Sequence, residues 1–146
     1  MRKKDDVLKV GEFWREPVHY RVTVIEEGNC RAAHKKGETF EFDWKTPEGF
    51  CPESFVGMYP ILHSLRVMGD MRELGSPYRN VRIYNCPSRV IKFQIEATYC
   101  CNLCGKKLSI DVTGAVGHKL ENPEEKIYVR ICPDCYEKHK NKALIW

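Results

Sequence analysis

Several familiar signatures are missing from this chain, and each absence removes a class of function. No apolar run comes near the roughly 18 residues that a membrane-crossing helix requires, so no membrane partner is expected. The first residues, Met1-Arg2-Lys3-Lys4-Asp5-Asp6, are charged and no apolar stretch follows them. That pattern lacks the hydrophobic region of a secretory signal and points to a cytoplasmic protein. There is no phosphate-cradling glycine loop, no HExxH helix and no nucleophile elbow. The nucleotide-binding, metalloprotease and serine-hydrolase chemistries that depend on those motifs are left without support.

A dominant charge is missing too. The chain has 24 Lys and Arg against 20 Asp and Glu, a formal net charge of +4. Residues 1–97 hold 16 basic and 14 acidic side chains, and residues 98–146 hold 8 and 6. Neither half has the basic excess of a dedicated nucleic-acid binder, so nucleic acid is not expected as a partner. With 42% hydrophobic and 30% charged residues, the 146-residue chain reads as globular. It is long enough for a core domain of about 95 residues and a smaller module.

What the sequence does contain is cysteine, eight in all. In a chain without an export signal these are expected to be metal ligands or free thiols and not disulfides. Four of them form two C-x2-C pairs, Cys101-Asn102-Leu103-Cys104 and Cys132-Pro133-Asp134-Cys135. The two residues inside each pair let the backbone turn as a knuckle with both sulfurs on one side, and the segment between the pairs brings the knuckles together around one ion. Four protein thiolates leave no open position for a catalytic water, so a closed structural site is expected. Zinc is the expected occupant. Iron is the alternative, because the CxxCG and CPxC knuckles also resemble those of rubredoxins, although Tyr136 follows the second pair where those proteins have glycine. Cys100, His118 and His139 are substitute ligands that the four better-spaced cysteines make unnecessary.

Hydrophobic periodicity gives the expected fold class: α+β, with a small four-stranded antiparallel sheet and one main helix, followed by a zinc-ribbon or treble-clef module. Val18, Tyr20, Val22 and Val24 alternate with polar neighbours and predict a strand, as do Glu38–Trp44, Val81–Tyr84 and Val90–Glu96. Pro52 stands at a favourable first helical position, and Phe55 to Met68 recur at helical spacing, with a bend expected near Gly57 or Pro60. The α+β domain is expected over residues 1–97, with 1–17 as a charged lead-in, and the metal module over 98–146. In that module a strand over Leu108–Val112, a turn and a strand over Lys126–Ile131 form the hairpin. A helix from about Asp134 carries Tyr136, His139, Ala143, Leu144 and Trp146.

A second constellation, Cys30, His34, Cys51 and Cys86, lies in the first domain. Cys30 and His34 are spaced to share an ion, and Cys51-Pro52 and Cys86-Pro87 both fall at junctions between loops and elements. Either the four converge as a second metal site or as a thiolate paired with His34 at the amino end of a helix, or the cysteines are small apolar residues and His34 is solvated beside Lys35 and Lys36.

The run Gly28-Asn29-Cys30, His34-Lys35-Lys36-Gly37-Glu38, Phe40, Gly49-Phe50-Cys51-Pro52, Tyr59-Pro60-Ile61-Leu62, Gly69, Cys86-Pro87, Val90, Lys92-Phe93 and Ile95 resembles a family of small, functionally uncharacterised prokaryotic proteins with a C…GHK.GD.F…CP…CP pattern. The resemblance covers about residues 18–97. It departs at Ala33, where glycine is common, and at Ser88, where an acidic residue often follows. The resemblance implies an autonomous first domain and adds interest to its cysteines, but it lends no activity.

Three functions are consistent with these features. The preferred one is a zinc-binding protein whose four-cysteine site supports a surface for a protein partner or a second copy, with the apolar tail Ala143-Leu144-Ile145-Trp146 as a docking element. The alternative is a thiol enzyme or redox protein using Cys51 or Cys86 with His34. Nucleic-acid binding is the third, and the charge balance weighs against it.

Overall fold

The computed structural model describes residues 6–110 and 114–146. The elements in chain order are β1 (Val7–Lys9), α1 (Val10–Phe13), β2 (Val18–Glu26), β3 (Thr39–Phe42), α2 (Pro52–Arg66), β4 (Val81–Asn85), β5 (Lys92–Tyr99), β6 (His118–Asn122), β7 (Ile127–Ile131), α3 (Pro133–His139) and β8 (Ala143–Ile145). The structure is α+β with mostly antiparallel pairing. No helix among the described residues is long and apolar enough to cross a membrane. The chain divides into two compact units, Val18–Thr98 and the combination of Met1–Pro17 with Tyr99–Trp146.

The first unit is built on a sheet with strand order β3-β2-β5-β4. Period-two alternation explains the two central strands. Val18, Tyr20, Val22 and Val24 of β2 and Phe93, Ile95 and Ala97 of β5 are buried, while the intervening residues are not. Helix α2 turns Ser54, Met58, Leu62 and Leu65 inward, a stripe at the spacing of one helical face. It is fastened to β2 where the Tyr20 hydroxyl donates to the Leu62 carbonyl at 2.6 Å. Pro60 lies inside α2 at an exposed position without ending it. Beyond the end of α2, Met68 takes the left-handed backbone, φ 64°. At Gly69 an added Cβ would stand 2.8 Å from the Ser64 carbonyl oxygen, so glycine serves close packing there.

The second unit differs from the expected module in three ways. The lead-in is not an appendage of the first domain: β1 pairs in parallel with β8, with Leu8 opposite Leu144. Leu8, Val10 and Leu144 are all buried, which supplies the driving force. The carboxyl-terminal helix ends at His139, so Ala143 and Leu144 belong to a strand and not to a helical face. The hairpin is formed by β6 and β7, His118 facing Ile131 and Asn122 facing Ile127. Of the strand expected over Leu108–Val112, the described part, Leu108–Ile110, has an isolated bridge between Ile110 and Val116, and Asp111 and Val112 lie outside the described residues. β6 is hard to read in the sequence because His118-Lys119-Leu120-Glu121-Asn122 is largely exposed and has almost no apolar alternation.

Candidate metal centre

Each knuckle is shaped by local backbone chemistry. In the first, Gly105 adopts φ 78°, a left-handed conformation that glycine reaches without a Cβ penalty. The turn closes with the Gly105 amide on the Cys101 carbonyl at 2.9 Å and the Cys101 amide on the Lys106 carbonyl at 2.8 Å. The Leu103 amide points at the Cys101 sulfur, 3.5 Å away. In the second, Cys132 is the residue before α3, Pro133 occupies the first helical position and Cys135 rides on the first turn. The Tyr136 amide donates to the Cys132 carbonyl at 2.9 Å, so helix entry sets the spacing of the two sulfurs.

These turns bring four sulfurs together. The Sγ atoms of Cys101, Cys104, Cys132 and Cys135 all lie within 4.8 Å of one another, and those of Cys104 and Cys132 are 3.7 Å apart. Zinc–sulfur bonds near 2.3 Å in a tetrahedron require sulfur–sulfur edges of about 3.8 Å, so the donor set fits one tetrahedral ion. It is the only such group among the described residues. All four cysteines are free of disulfide bonds.

The electrostatics agree. Burial acts to raise the Cys101 thiol, but amides of Cys132, Cys104 and Leu103 directed at its sulfur outweigh it and bring the pKa down to about 7. The Lys106 amide favours ionisation of Cys104, yet burial and the adjacent sulfurs of Cys101 and Cys132 leave that thiol raised. Cys135 is pushed up by burial and then by the other sulfurs. Crowded thiols resist sharing negative charge, whereas a coordinated cation reverses that balance and deprotonates them.

Asn102, inside the first knuckle, carries no functional signal in the sequence. It is buried, and its side-chain oxygen accepts from the Arg130 amide at 2.8 Å while its Nδ2 donates to the Arg15 carbonyl at 3.2 Å. Its backbone adds bonds to the same two residues, from its own amide to the Arg130 carbonyl at 3.0 Å and from the Arg15 amide to its carbonyl at 2.7 Å. Since Arg130 belongs to β7, which leads into Cys132, Asn102 ties the first knuckle to the strand that delivers the second. The substitute ligands take other roles. His118 stacks on Tyr136 at 4.4 Å, and His139 is buried with its pKa lowered by burial and by Lys142 and Lys138. Cys100 bridges to Lys107 in the backbone and is raised mainly by burial.

Compared with family models, curated proteins and solved structures, the chain has no match in any of the three.

In the first unit, Cys30, Cys51 and Cys86 line one cavity at the amino end of α2. They do not form a close metal-ligand group with His34. His34 is 1% exposed and sits against the rings of Phe40, Phe50 and Phe93. Its Nε2 accepts the Cys51 amide at 3.1 Å and its Nδ1 lies 2.7 Å from the Glu38 carboxylate. An Nε2 that accepts leaves the proton on Nδ1, donating to Glu38. Both ring nitrogens are thus engaged, so His34 positions the backbone of Cys51 and is not a free base for its thiol. Neither is it the solvated residue that its neighbours Lys35 and Lys36 would suggest.

Proposed function

We propose that the chain is a zinc-binding protein in which Cys101, Cys104, Cys132 and Cys135 hold one structural ion. Knuckle, hairpin, knuckle and short helix follow one another in the order of a zinc-ribbon or treble-clef module. The observation that carries the reading is the mutual approach of the four sulfurs to within 4.8 Å. Thiolate ligands suit zinc and also iron; zinc is the proposed occupant because the second knuckle runs directly into α3. Metal analysis of purified protein is expected to give one zinc per chain, lost in Cys104→Ser and Cys132→Ser. An iron tetrathiolate would show strong visible absorption. Protein that carries neither metal, and takes up neither after reduction, would overturn the reading.

The module is also proposed to present a surface for self-association in the cytoplasm. Support comes from Trp14 and Trp146, whose ring centroids lie 5.6 Å apart and of which Trp146 is 70% exposed. The rest of the tail is engaged within its own chain by β1, which narrows the docking element to these aromatics. Sedimentation equilibrium of wild type against Trp146→Ala tests it, with a loss of the larger species expected and a monomeric wild type counting against it. The kinship of residues 18–97 with the CP-containing prokaryotic proteins stands as a proposal on the residues quoted above.

A further inference from the structure

The cavity at the amino end of α2 has no part in the metal centre, yet it gathers three cysteines from three distant segments. Its volume is about 440 Å³, and Cys30, Cys51 and Cys86 line it with Pro52, Ser54 and Pro87. The three segments are held there by specific contacts. Gly28 brings the end of β2 against the β4–β5 connection so closely that an added Cβ would lie 2.5 Å from the Val90 carbonyl oxygen. Cys30 then starts a tight turn, the Ala33 amide donating to its carbonyl at 2.9 Å. The Cys51 amide is fixed on His34. Cys86 is wrapped by its own loop, with Arg89 in a left-handed conformation and the Cys86 amide on the Ile91 carbonyl at 3.0 Å.

The sulfur environments differ in a way that suggests a division of labour. Cys51 is half-buried and stands immediately before the first turn of a 15-residue helix. The amino end of that helix favours negative charge, the charge a sulfur carries when it attacks. Cys86 is 7% exposed, and its Sγ faces the amides of Val90 and Ile91, each at 3.3 Å. Two backbone amides therefore fix the direction of the Cys86 side chain at the cavity wall. The Tyr84 phenol is near both cysteines: its pKa is raised by burial first and then by Cys86 and Cys51.

We propose that Cys51 and Cys86 are a thiol–disulfide exchange pair serving a small-molecule disulfide that enters this cavity. The Cys51 thiolate attacks one sulfur of the substrate disulfide, forming a mixed disulfide and releasing one substrate thiolate. The Cys86 thiolate then attacks the Cys51 sulfur, closing a Cys51–Cys86 disulfide and expelling the second thiolate. The two protons given up by the cysteines pass to the two released thiols. The protein dithiol is oxidised by two electrons and the substrate disulfide is reduced, and the sequence runs in reverse with a thiol as reductant. Cys30 shares the cavity without a share in the bond.

The test uses full-length, metal-loaded, reduced protein mixed with limiting oxidised glutathione near neutral pH, followed by peptide mapping. Wild type is expected to yield a Cys51–Cys86 disulfide and two glutathione thiols per disulfide formed. Cys86→Ser and Cys86→Ala are each expected to stop at a glutathione adduct on Cys51, and Cys51→Ser to release thiol at least tenfold more slowly. Circular dichroism and the metal content of each variant establish that it is folded, and the wild-type map needs no variant at all. A disulfide that joins Cys51 or Cys86 only to Cys30, oxidation confined to the other cysteines, or thiol release unchanged in folded Cys51→Ser would overturn the assignment.

Discussion

Asn102 occupies one of the two positions between the first pair of ligands, where a C-x2-C pattern accepts almost any residue. Its amide group meets the Arg130 amide and the Arg15 carbonyl in a buried setting. Replacement by alanine leaves those backbone groups without partners, at a cost of about 1–3 kcal/mol. Asn102→Ala is therefore expected to lower stability by that amount in urea titrations and to release zinc faster to a chelator, while Asn102→Asp retains the acceptor and loses less. His34 has a similar logic in the other unit. His34→Leu strands the Cys51 amide and the Glu38 carboxylate and is expected to cost about 1–3 kcal/mol; His34→Gln, which can still bond, costs less. Equal losses in both variants would mean that the ring's packing among Phe40, Phe50 and Phe93 matters and its nitrogens do not. Both residues show where legibility ends. The four clustered cysteines could be read because each knuckle is set by a spacing of three positions, whereas Asn102 finds partners 28 and 87 residues away along the chain. Similarly, the Cys51 amide that His34 accepts is 17 residues from it, and nothing in the local pattern distinguishes that from a catalytic pairing.

At the level of elements, strands with apolar alternation were legible down to the four residues of β3 and the five of β4, and segments too short or too polar to show a period were not. β2 and α2 could be read from nine and 15 residues of consistent alternation or helical spacing. β1 and β8 have three residues each, too few to show a period, and they exist because they bury Leu8 and Leu144 against each other's strand. That pairing can be tested apart from the metal. Leu144→Ala removes a side chain that is 1% exposed and is expected to cost about 2–5 kcal/mol. Deleting residues 1–9 is expected to produce a loss in the same unit, visible as increased amide exchange in β8 and α3 but not in β2 or β5. If exchange rises in the sheet of the first unit instead, the lead-in belongs with that domain after all. Gly28→Ala probes the other unit: the added methyl must push the β2 end away from Val90, and overpacking of that kind costs about 1–3 kcal/mol.

For the whole molecule, the division into Val18–Thr98 and the joined terminal segments puts all four clustered cysteines in the terminal unit. The terminal unit has roughly 65 residues, a size at which a hydrophobic core alone gives only marginal stability. A structural tetrathiolate zinc contributes on the order of 10–16 kcal/mol of apparent binding energy, comparable to or larger than the total stability of a small domain, about 5–15 kcal/mol. The Val18–Thr98 unit needs no such staple, since β2, β5 and α2 bury a continuous set of large side chains including Phe93, Ile95, Met58 and Leu65. Removing the metal with a strong chelator under reducing conditions is therefore expected to unfold one unit and spare the other. In amide spectra, signals from 7–17 and 99–146 should collapse toward unfolded positions, while those of β2, β5 and α2 keep their dispersion; adding back one equivalent of zinc restores the lost set. Calorimetry should then show the metal-loaded protein losing one transition on chelation with the other unmoved. Collapse of both sets together would show that the first unit cannot stand without the metal, and persistence of both would show that the four cysteines hold an ion the fold does not need.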